Sequence, residues 1–190
     1  MKKMRSDYIP ASEFRHVLAA LTPPNRLALE ISLATGLRIN DVLSLQTAKF
    51  KQRMTINEQK TGKNRRIYIP TELYNRAYSQ AGRTWIFPGR LNPAQNHRTR
   101  QAVWKDIKRA AKLFRIPVKG LQISPHTARK VYAVEQYQTT GSLKRVQELL
   151  QHEDEAVTMI YAMADVLTAR NHPTFGERVA AISGHTQRRG

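Results

Sequence analysis

Apolar residues recur along most of this chain at intervals of three and four, the spacing that lines up side chains on one face of an α-helix. Prolines open several of these segments and glycines follow others, which suits a first helical turn and a left-handed cap respectively. Any fold of this chain must therefore pack helices against one another. The pattern predicts helices at about 10–21, 23–34, 39–45, 71–80, 95–114, 125–141, 142–151 and 156–163.

One region breaks the helical spacing. Met54 and Ile56 alternate with polar residues, Ile67 and Ile69 do the same, and the glycine-containing run 60–64 lies between them. Alternation on both sides of a short glycine-containing loop is typical of a β-hairpin. Because the chain shows no internal repeat and no interior low-complexity linker, we expect one domain, mainly α with a small antiparallel β-sheet (α+β).

The charge of the chain indicates its kind of partner. There are 32 Lys and Arg against 14 Asp and Glu, a formal net charge of +18 in 190 residues. Such a surplus attracts polyanions, and phosphate backbones are the common case because binding them releases counterions. We find no strongly amphipathic basic helix with an aromatic face, so nucleic acid is favoured over an anionic membrane.

Several chemistries and locations are excluded by what the sequence lacks. It has no cysteine, which excludes disulfides, thiolate zinc sites and cysteine nucleophiles. No apolar run approaches the ~20 residues that span a bilayer, and the first seven residues lack the apolar core of a secretory signal. There is no carboxylate cluster for Mg²⁺ and no His-Glu-x-x-His helix for zinc. We therefore expect a cytoplasmic protein that uses no metal and no cofactor.

Two segments carry arginines that are suited to binding a phosphate. Arg38 stands at the start of a predicted helix, where it and the helix terminus can bind an anion while Asp41 orients the guanidinium. His126 and Arg129 are three residues apart, so they share one helix face. Each segment taken alone is more often an ordinary solvated surface pair.

Two further positions supply a hydroxyl and an ammonium group. Tyr161 follows His152 by nine residues, and Lys60 lies in the predicted hairpin loop. Tyr161 is one of seven tyrosines, so a core tyrosine is the default interpretation, and Lys60 alone is an ordinary turn lysine.

Together these positions carry a family resemblance. Their order, with Thr35-Gly36-Leu37-Arg38 and the run 146–152 around them, resembles the signature of the tyrosine recombinase or phage integrase family, over roughly residues 9–164. The chain departs from that pattern at Ala128, Lys130 and Gln151, where the family usually has leucine, histidine and glycine. The six residues in question are Arg38, Lys60, His126, Arg129, His152 and Tyr161.

The resemblance implies the recombinase catalytic-domain fold and a reaction. Tyr161 would attack a DNA phosphate and form a covalent 3′-phosphotyrosyl intermediate, without metal or ATP, in chemistry like that of type IB topoisomerases. A tyrosine hydroxyl with its usual pKa of ~10 needs a base or a positive field, and His126 would accept its proton.

The remaining groups would stabilise charge and supply a proton. Arg38 and Arg129 would contact the non-bridging oxygens, and His152 would add a hydrogen bond. Lys60 is the candidate general acid for the leaving 5′ oxygen, with Lys63 as its rival.

Other cations are expected to contact DNA phosphates, although a generally solvated basic surface explains each of them equally well. The candidates for DNA binding are Lys63, Arg65, Arg66, Arg98, Arg100, Lys105, Lys108 and Lys130.

The domain boundaries complete the expectation. Residues 1–8 are interpreted as an extension or linker, 9–184 as the catalytic domain and 185–190 as a disordered basic tail. By family analogy the protein would be a monomer alone and a homo-tetramer on double-stranded DNA. The apolar residues after Asp165 would then dock on a neighbouring protomer or pack on their own domain.

Two alternatives stay open at this stage. The chain is either an isolated catalytic domain or similar to single-domain family members such as the fimbrial phase-switch invertases. A non-catalytic DNA-binding regulator is the other class, because residues 142–161 also suit a helix-turn-helix.

Overall fold

The computed structural model describes residues 6–113, 122–172 and 177. These residues are mainly helical and include one two-stranded antiparallel sheet, which confirms the predicted fold class. In chain order the elements are α1 (Ala11–Ala19), α2 (Pro23–Thr35), α3 (Ile39–Leu43), β1 (Arg53–Asn57), β2 (Asn64–Tyr68), α4 (Thr71–Ser79), α5 (Arg100–Leu113), α6 (Pro125–Thr140), α7 (Leu143–Leu150), α8 (Glu155–Ala162) and α9 (Ala164–Asn171).

Helix α6 is the centre of the domain, because it packs against α2, α5, α7, α8 and α9. The helix begins with a capping box. The hydroxyl of Ser124 accepts a hydrogen bond from the backbone N–H of His126, and the hydroxyl of Thr127 accepts one from the backbone N–H of Ser124. Gly141 ends it in the left-handed conformation, with φ of 64°. His126 and Arg129 therefore lie on the first turns of this central helix.

The turn between α2 and α3 is closed around Gly36. This residue ends α2 with φ of 68°, a conformation that glycine adopts without steric cost. The ring of Tyr132 from α6 packs so close that a Cβ at this position would lie 2.5 Å from its Cε1. The chain then enters α3 with Arg38 as the residue that precedes its first turn.

The hairpin places a loop beside this turn. Strands β1 and β2 pair from Arg53↔Tyr68 to Asn57↔Asn64, and Ile56 and Ile67 face the core. The loop between them is closed by two backbone hydrogen bonds, from Glu58 N–H to the Lys63 carbonyl (3.0 Å) and from Gly62 N–H to the Glu58 carbonyl (2.8 Å).

The fifth helix is shorter than its sequence predicts. It begins at Arg100 rather than near residue 95, because residues 95–99 pair with the preceding loop: Arg98 N–H donates to the Phe87 carbonyl. The predicted apolar stripe is otherwise in place, since Val103, Ile107 and Ala110 are buried and Ala111 is partly buried. Phe114 of that stripe lies outside the described residues.

A ninth helix follows where the sequence shows weak periodicity. Helix α9 packs against α6 and α8, and its Thr168 hydroxyl accepts from the Tyr8 N–H at 3.0 Å. Tyr8 is buried, so this end of the predicted extension 1–8 packs on the domain.

The sequence also predicts an apolar docking segment and a basic tail after Asp165. Val166 and Leu167 stay exposed on α9, whereas the apolar residues 179–182 and the basic tail 185–190 lie outside the described residues. In the described part of the chain, no helix has both the length and the apolar character to cross a membrane.

The close approach at Gly36 generates a prediction. We expect Gly141→Ala to lower the free energy of unfolding by about 1–2 kcal/mol, because it forces a Cβ into the left-handed region with open space around it. Gly36→Ala should cost at least about 1 kcal/mol more, since its Cβ also meets the Tyr132 ring. Urea denaturation of both variants measures the difference. Equal losses would show that the ring does not constrain this turn.

Candidate active site

A cleft of about 370 Å³ opens where the start of α3, the hairpin loop, the first turn of α6 and the α7–α8 turn meet. The structure brings together all six residues that the sequence singled out. The side chains that line the cleft include Arg38, Lys60, His126, Arg129, His152 and Tyr161.

Arg129 is the most enclosed of these side chains, with 1% of its surface exposed. Its Nη1 donates to the Gly36 carbonyl (2.6 Å) and its Nη2 to the Leu150 carbonyl (2.5 Å). Burial, followed by the Arg38 charge, lowers the pKa of Arg129 to about 10, so the guanidinium stays charged at neutral pH. The side chain thereby fixes a cation between the α2–α3 turn and the end of α7.

Arg38 is oriented by a carboxylate that the sequence analysis did not identify. Its Nη1 pairs with Oε2 of Glu58, which is fully buried, and Oε1 of Glu58 accepts from Arg65 Nη1 at 3.2 Å. Asp41, the predicted partner, instead accepts the Gln59 backbone N–H at 2.9 Å, and burial raises its pKa. Glu58 thus takes the orienting role expected of Asp41.

Two of the arginines predicted to contact DNA form hydrogen bonds within the domain. Arg65 is buried, and its Nη2 donates to the Thr35 carbonyl at 2.5 Å, so its guanidinium does not face the solvent where DNA would lie. Arg98 is half-buried and donates to Asn25 Oδ1 at 3.3 Å.

The other candidates for DNA contact differ in exposure. Lys130 is half-buried, and its Nζ donates to the Ser6 carbonyl at 2.6 Å. Those that present their side chains to solvent are Lys63, Arg66, Arg100, Lys105 and Lys108.

The ring of His152 is held by two neighbours. Arg129 Nη2 lies 3.2 Å from Nε2, and the buried Thr158 hydroxyl lies 3.3 Å from Nδ1. Because a guanidinium can only donate, Nε2 accepts and the proton of the neutral ring belongs on Nδ1. Burial, followed by the Arg129 and Arg38 charges, lowers the pKa of His152 to about 3.

His126 is neutral for similar reasons. Burial, followed by the charges of Arg100, Arg129 and Arg38, lowers its pKa to about 4. A neutral imidazole in the cleft is able to accept a proton.

Tyr161 lies on α8 with its ring edge-to-face against His152, the centroids 5.1 Å apart at 71°. The Lys130 ammonium is 5.9 Å from the same ring. The ring packs on a small cluster of buried apolar side chains from α6, α7 and α8. The Asp154 carboxylate caps α8 by accepting the Ala156 N–H at 2.8 Å, which fixes the helix start.

The two rival lysines of the hairpin loop lie in different places. Lys60 lines the cleft, whereas Lys63 pairs with Glu153 Oε1 at 3.0 Å and lines a neighbouring groove. This arrangement favours Lys60 over Lys63 for any step inside the cleft. Across the described residues, no three histidine or carboxylate side chains are grouped to hold a metal ion.

Solved structures with this fold define its class. λ integrase (75–356), solved as a dimer bound to a COC′ core site, has a TM-score of 0.72 at 20% identity and covers 85% of this chain and 61% of that one. The catalytic domain of bacteriophage HP1 integrase has a TM-score of 0.59 at 22% identity over 84% of this chain and 89% of that domain. The fold is that of integrase catalytic domains.

Sequence relatives and a family model carry the assignment further. Tyrosine recombinase XerD of Rhizobium meliloti (strain 1021) is 32% identical over 154 residues, covering 76% of this chain and 48% of the relative. The protein of the same name from Pseudomonas putida is 31% identical over 169 residues, covering 81% and 56%. This chain therefore spans about half the length of these curated relatives. The phage integrase family model matches residues 8–167. The chain belongs to the phage integrase family, the tyrosine recombinases, which confirms the resemblance read from the sequence.

The buried carboxylate generates a stability prediction. Glu58→Gln removes the only carboxylate that pairs with Arg38 and Arg65 within the described residues, and an uncompensated buried charge typically costs about 3 kcal/mol. We expect a loss of that size in urea denaturation. Glu153→Gln is the matched control, because its exposed ion pair should change stability by less than about 0.5 kcal/mol. A Glu58 variant as stable as the control would contradict the orienting role.

The two neutral histidines generate a pH prediction. Since their pKa values are lowered from 6.5 to about 4 and about 3, the unfolded chain binds more protons than the folded one below pH 6.5. Stability is then full above pH 6.5 and is lost as the pH falls toward 4, by up to about 1.4 kcal/mol per pH unit for each histidine. His126→Asn and His152→Asn should each flatten this slope, measured by denaturation at several pH values. His16→Asn, on the exposed face of α1, should not.

Proposed function

We propose that this chain is the catalytic domain of a site-specific DNA recombinase, of the integrase or invertase type, that cleaves and rejoins DNA through Tyr161. The observation that carries the proposal is the cleft, in which a tyrosine lies beside two arginines, two neutral histidines and a lysine. A non-catalytic DNA-binding regulator, the alternative class, has no use for such an arrangement.

The proposed first chemical step assigns a role to each of these groups. The Tyr161 oxygen attacks the scissile phosphorus, a new P–O bond forms to the phenol, and the bond to the 5′ oxygen breaks. His126 takes the phenolic proton, since its lowered pKa keeps the ring neutral beforehand. Lys60 gives a proton to the 5′ oxygen. The product is a 3′-phosphotyrosyl linkage and a free 5′ hydroxyl, and reversal by another 5′ hydroxyl rejoins the strand.

Charge on the phosphate is balanced by the fixed cations. Arg129 and Arg38 are already oriented by backbone carbonyls and Glu58, so little reorganisation is needed when charge develops on the non-bridging oxygens. His152 would add a further hydrogen bond, donated from Nε2 after that atom takes a proton from solvent. A phosphate anion would oppose the charges of Arg129 and Arg38, which together with burial keep this histidine neutral.

The partner in this reaction is double-stranded DNA. The net charge of +18 and the exposed cations Lys63, Arg66, Arg100, Lys105 and Lys108 support phosphate contacts around the cleft. By analogy with the family, four copies would assemble on DNA from monomers, in the cytoplasm of a bacterial, phage or mobile-element host.

A covalent trap tests the nucleophile. Nicked suicide duplexes carrying a site selected from a random library are incubated with the protein and resolved on a denaturing gel. Wild type should form a protein–DNA adduct, and Tyr161→Phe should form none because it lacks the attacking oxygen while keeping its ring packing. Tyr137→Phe is the matched control, since Tyr137 packs on the same apolar cluster without lining the cleft. An adduct that survives Tyr161→Phe would assign the chemistry to another residue.

A further inference from the structure

The hairpin loop meets the α7–α8 turn through two side-chain contacts on either side of His152. Gln151 Nε2 donates to the Asn64 carbonyl at 2.9 Å, and Glu153 Oε1 pairs with Lys63 Nζ at 3.0 Å. We call this pair of contacts the hairpin latch. Lys63 ends the loop that carries Lys60 and Asn64 begins β2, so the latch joins this end of the hairpin to the segment that carries His152.

Gln151 holds an uncommon backbone conformation to make its contact. It ends α7 with φ of 50° and ψ of 43°, a left-handed conformation that disfavours a residue with a side chain. Glycine, the residue usual here in the family pattern, would adopt this conformation freely. Glutamine adds what glycine lacks, an amide long enough to reach the β2 backbone.

The position of Lys60 depends on its loop. Its ammonium makes no hydrogen bond or ion pair among the described residues, so the loop backbone sets the point from which the side chain extends into the cleft. On the α3 side the loop is held by Asp41, which accepts the Gln59 N–H at 2.9 Å, and by the ion pair of Glu58 with Arg38. The hairpin latch holds the opposite side.

We propose that Gln151 and Glu153 are positioning residues that hold the hairpin loop so that the Lys60 ammonium reaches the leaving 5′ oxygen. This inference rests on the proposed function and assigns the latch to one step, the protonation of the leaving group. Phosphate binding and attack by Tyr161 depend on Arg38, Arg129, His126 and His152, and neither latch contact is made to the side chain of any of these residues. Loss of the latch should therefore slow cleavage only where the leaving oxygen needs a proton.

The latch is suited to this test because its loss should leave the fold intact. The Lys63–Glu153 pair is exposed, with 49% and 74% of the two side-chain surfaces accessible, and exposed pairs contribute little to stability. The Gln151 contact lies at the surface.

A substrate whose leaving group needs no proton tests the protonation step separately from phosphate binding and attack. Two suicide duplexes are compared after the scissile position has been mapped, one with the ordinary 5′ oxygen and one with sulfur in its place, because a thiolate leaves without protonation. We expect the Gln151→Ala/Glu153→Gln double variant to form adduct on the order of tenfold more slowly with the oxygen substrate, as for a misplaced acid. With the sulfur substrate it should match wild type.

Two single variants distinguish the effect of the Gln151 amide from the effects of backbone conformation and of surface charge. Gln151→Gly relieves the left-handed conformation but removes the amide, so it should show the same selective loss as Gln151→Ala. Glu148→Gln is the matched control, because it removes the exposed Arg145–Glu148 pair on the same helix without touching the hairpin. It should leave both rates unchanged. Thermal melts of all variants check that the fold is kept.

Each outcome decides the proposal. Selective slowing on oxygen supports it. Equal slowing on both substrates, no slowing on either, or a Gln151→Gly variant as fast as wild type on oxygen would overturn it. Wild-type protein that forms adduct on neither substrate would instead overturn the proposed function, and the latch with it.

Discussion

The buried guanidinium of Arg129 is the interaction on which the other parts of the site depend. It donates hydrogen bonds to the carbonyls of Gly36, at the end of α2, and Leu150, at the end of α7, which are 93 and 21 residues away in the chain. A third contact joins it to His152. Burying a charge is costly unless hydrogen bonds replace the water that it loses. The same contacts that make its burial tolerable also set the relative positions of the α2–α3 turn, α6 and the α7–α8 turn.

The arginines of the site carry more positive charge than the neighbouring carboxylates neutralise. Glu58 pairs directly with Arg38 and Arg65, whereas Arg129 is hydrogen-bonded to two backbone carbonyls and to His152 and has no direct ion pair among the described residues. This imbalance is visible in the histidines, whose pKa values fall because burial and nearby cations both oppose protonation. A phosphate group is the kind of ligand that would relieve it. The cations of this cleft are already positioned for an anion, so its binding requires little movement of these side chains.

Sequence patterns predicted those helices, strands and site residues that can be recognised from residues close to them in the chain. Helices with buried faces and an ordered set of short motifs can be read from neighbouring positions. Glu58 was missed because its partner Arg38 is 20 residues away, and no local pattern turns a loop carboxylate inward. Arg65 was predicted to contact DNA, but it is buried, as its two-residue spacing from Ile67 on the inner face of the strand indicates. Helix α9 escaped detection because one of its two buried side chains is the polar Thr168.

The dispersal of the reactive groups has a consequence for biosynthesis. Arg38, the hairpin lysine, the α6 pair and the tyrosine become neighbours only after α7 and α8 have docked on the first half of the chain. Contacts across such sequence separations form late, because closing long loops must precede them. In a growing polypeptide the cations are therefore made before Tyr161, and the cleft is complete only after α8 has been synthesised and has docked.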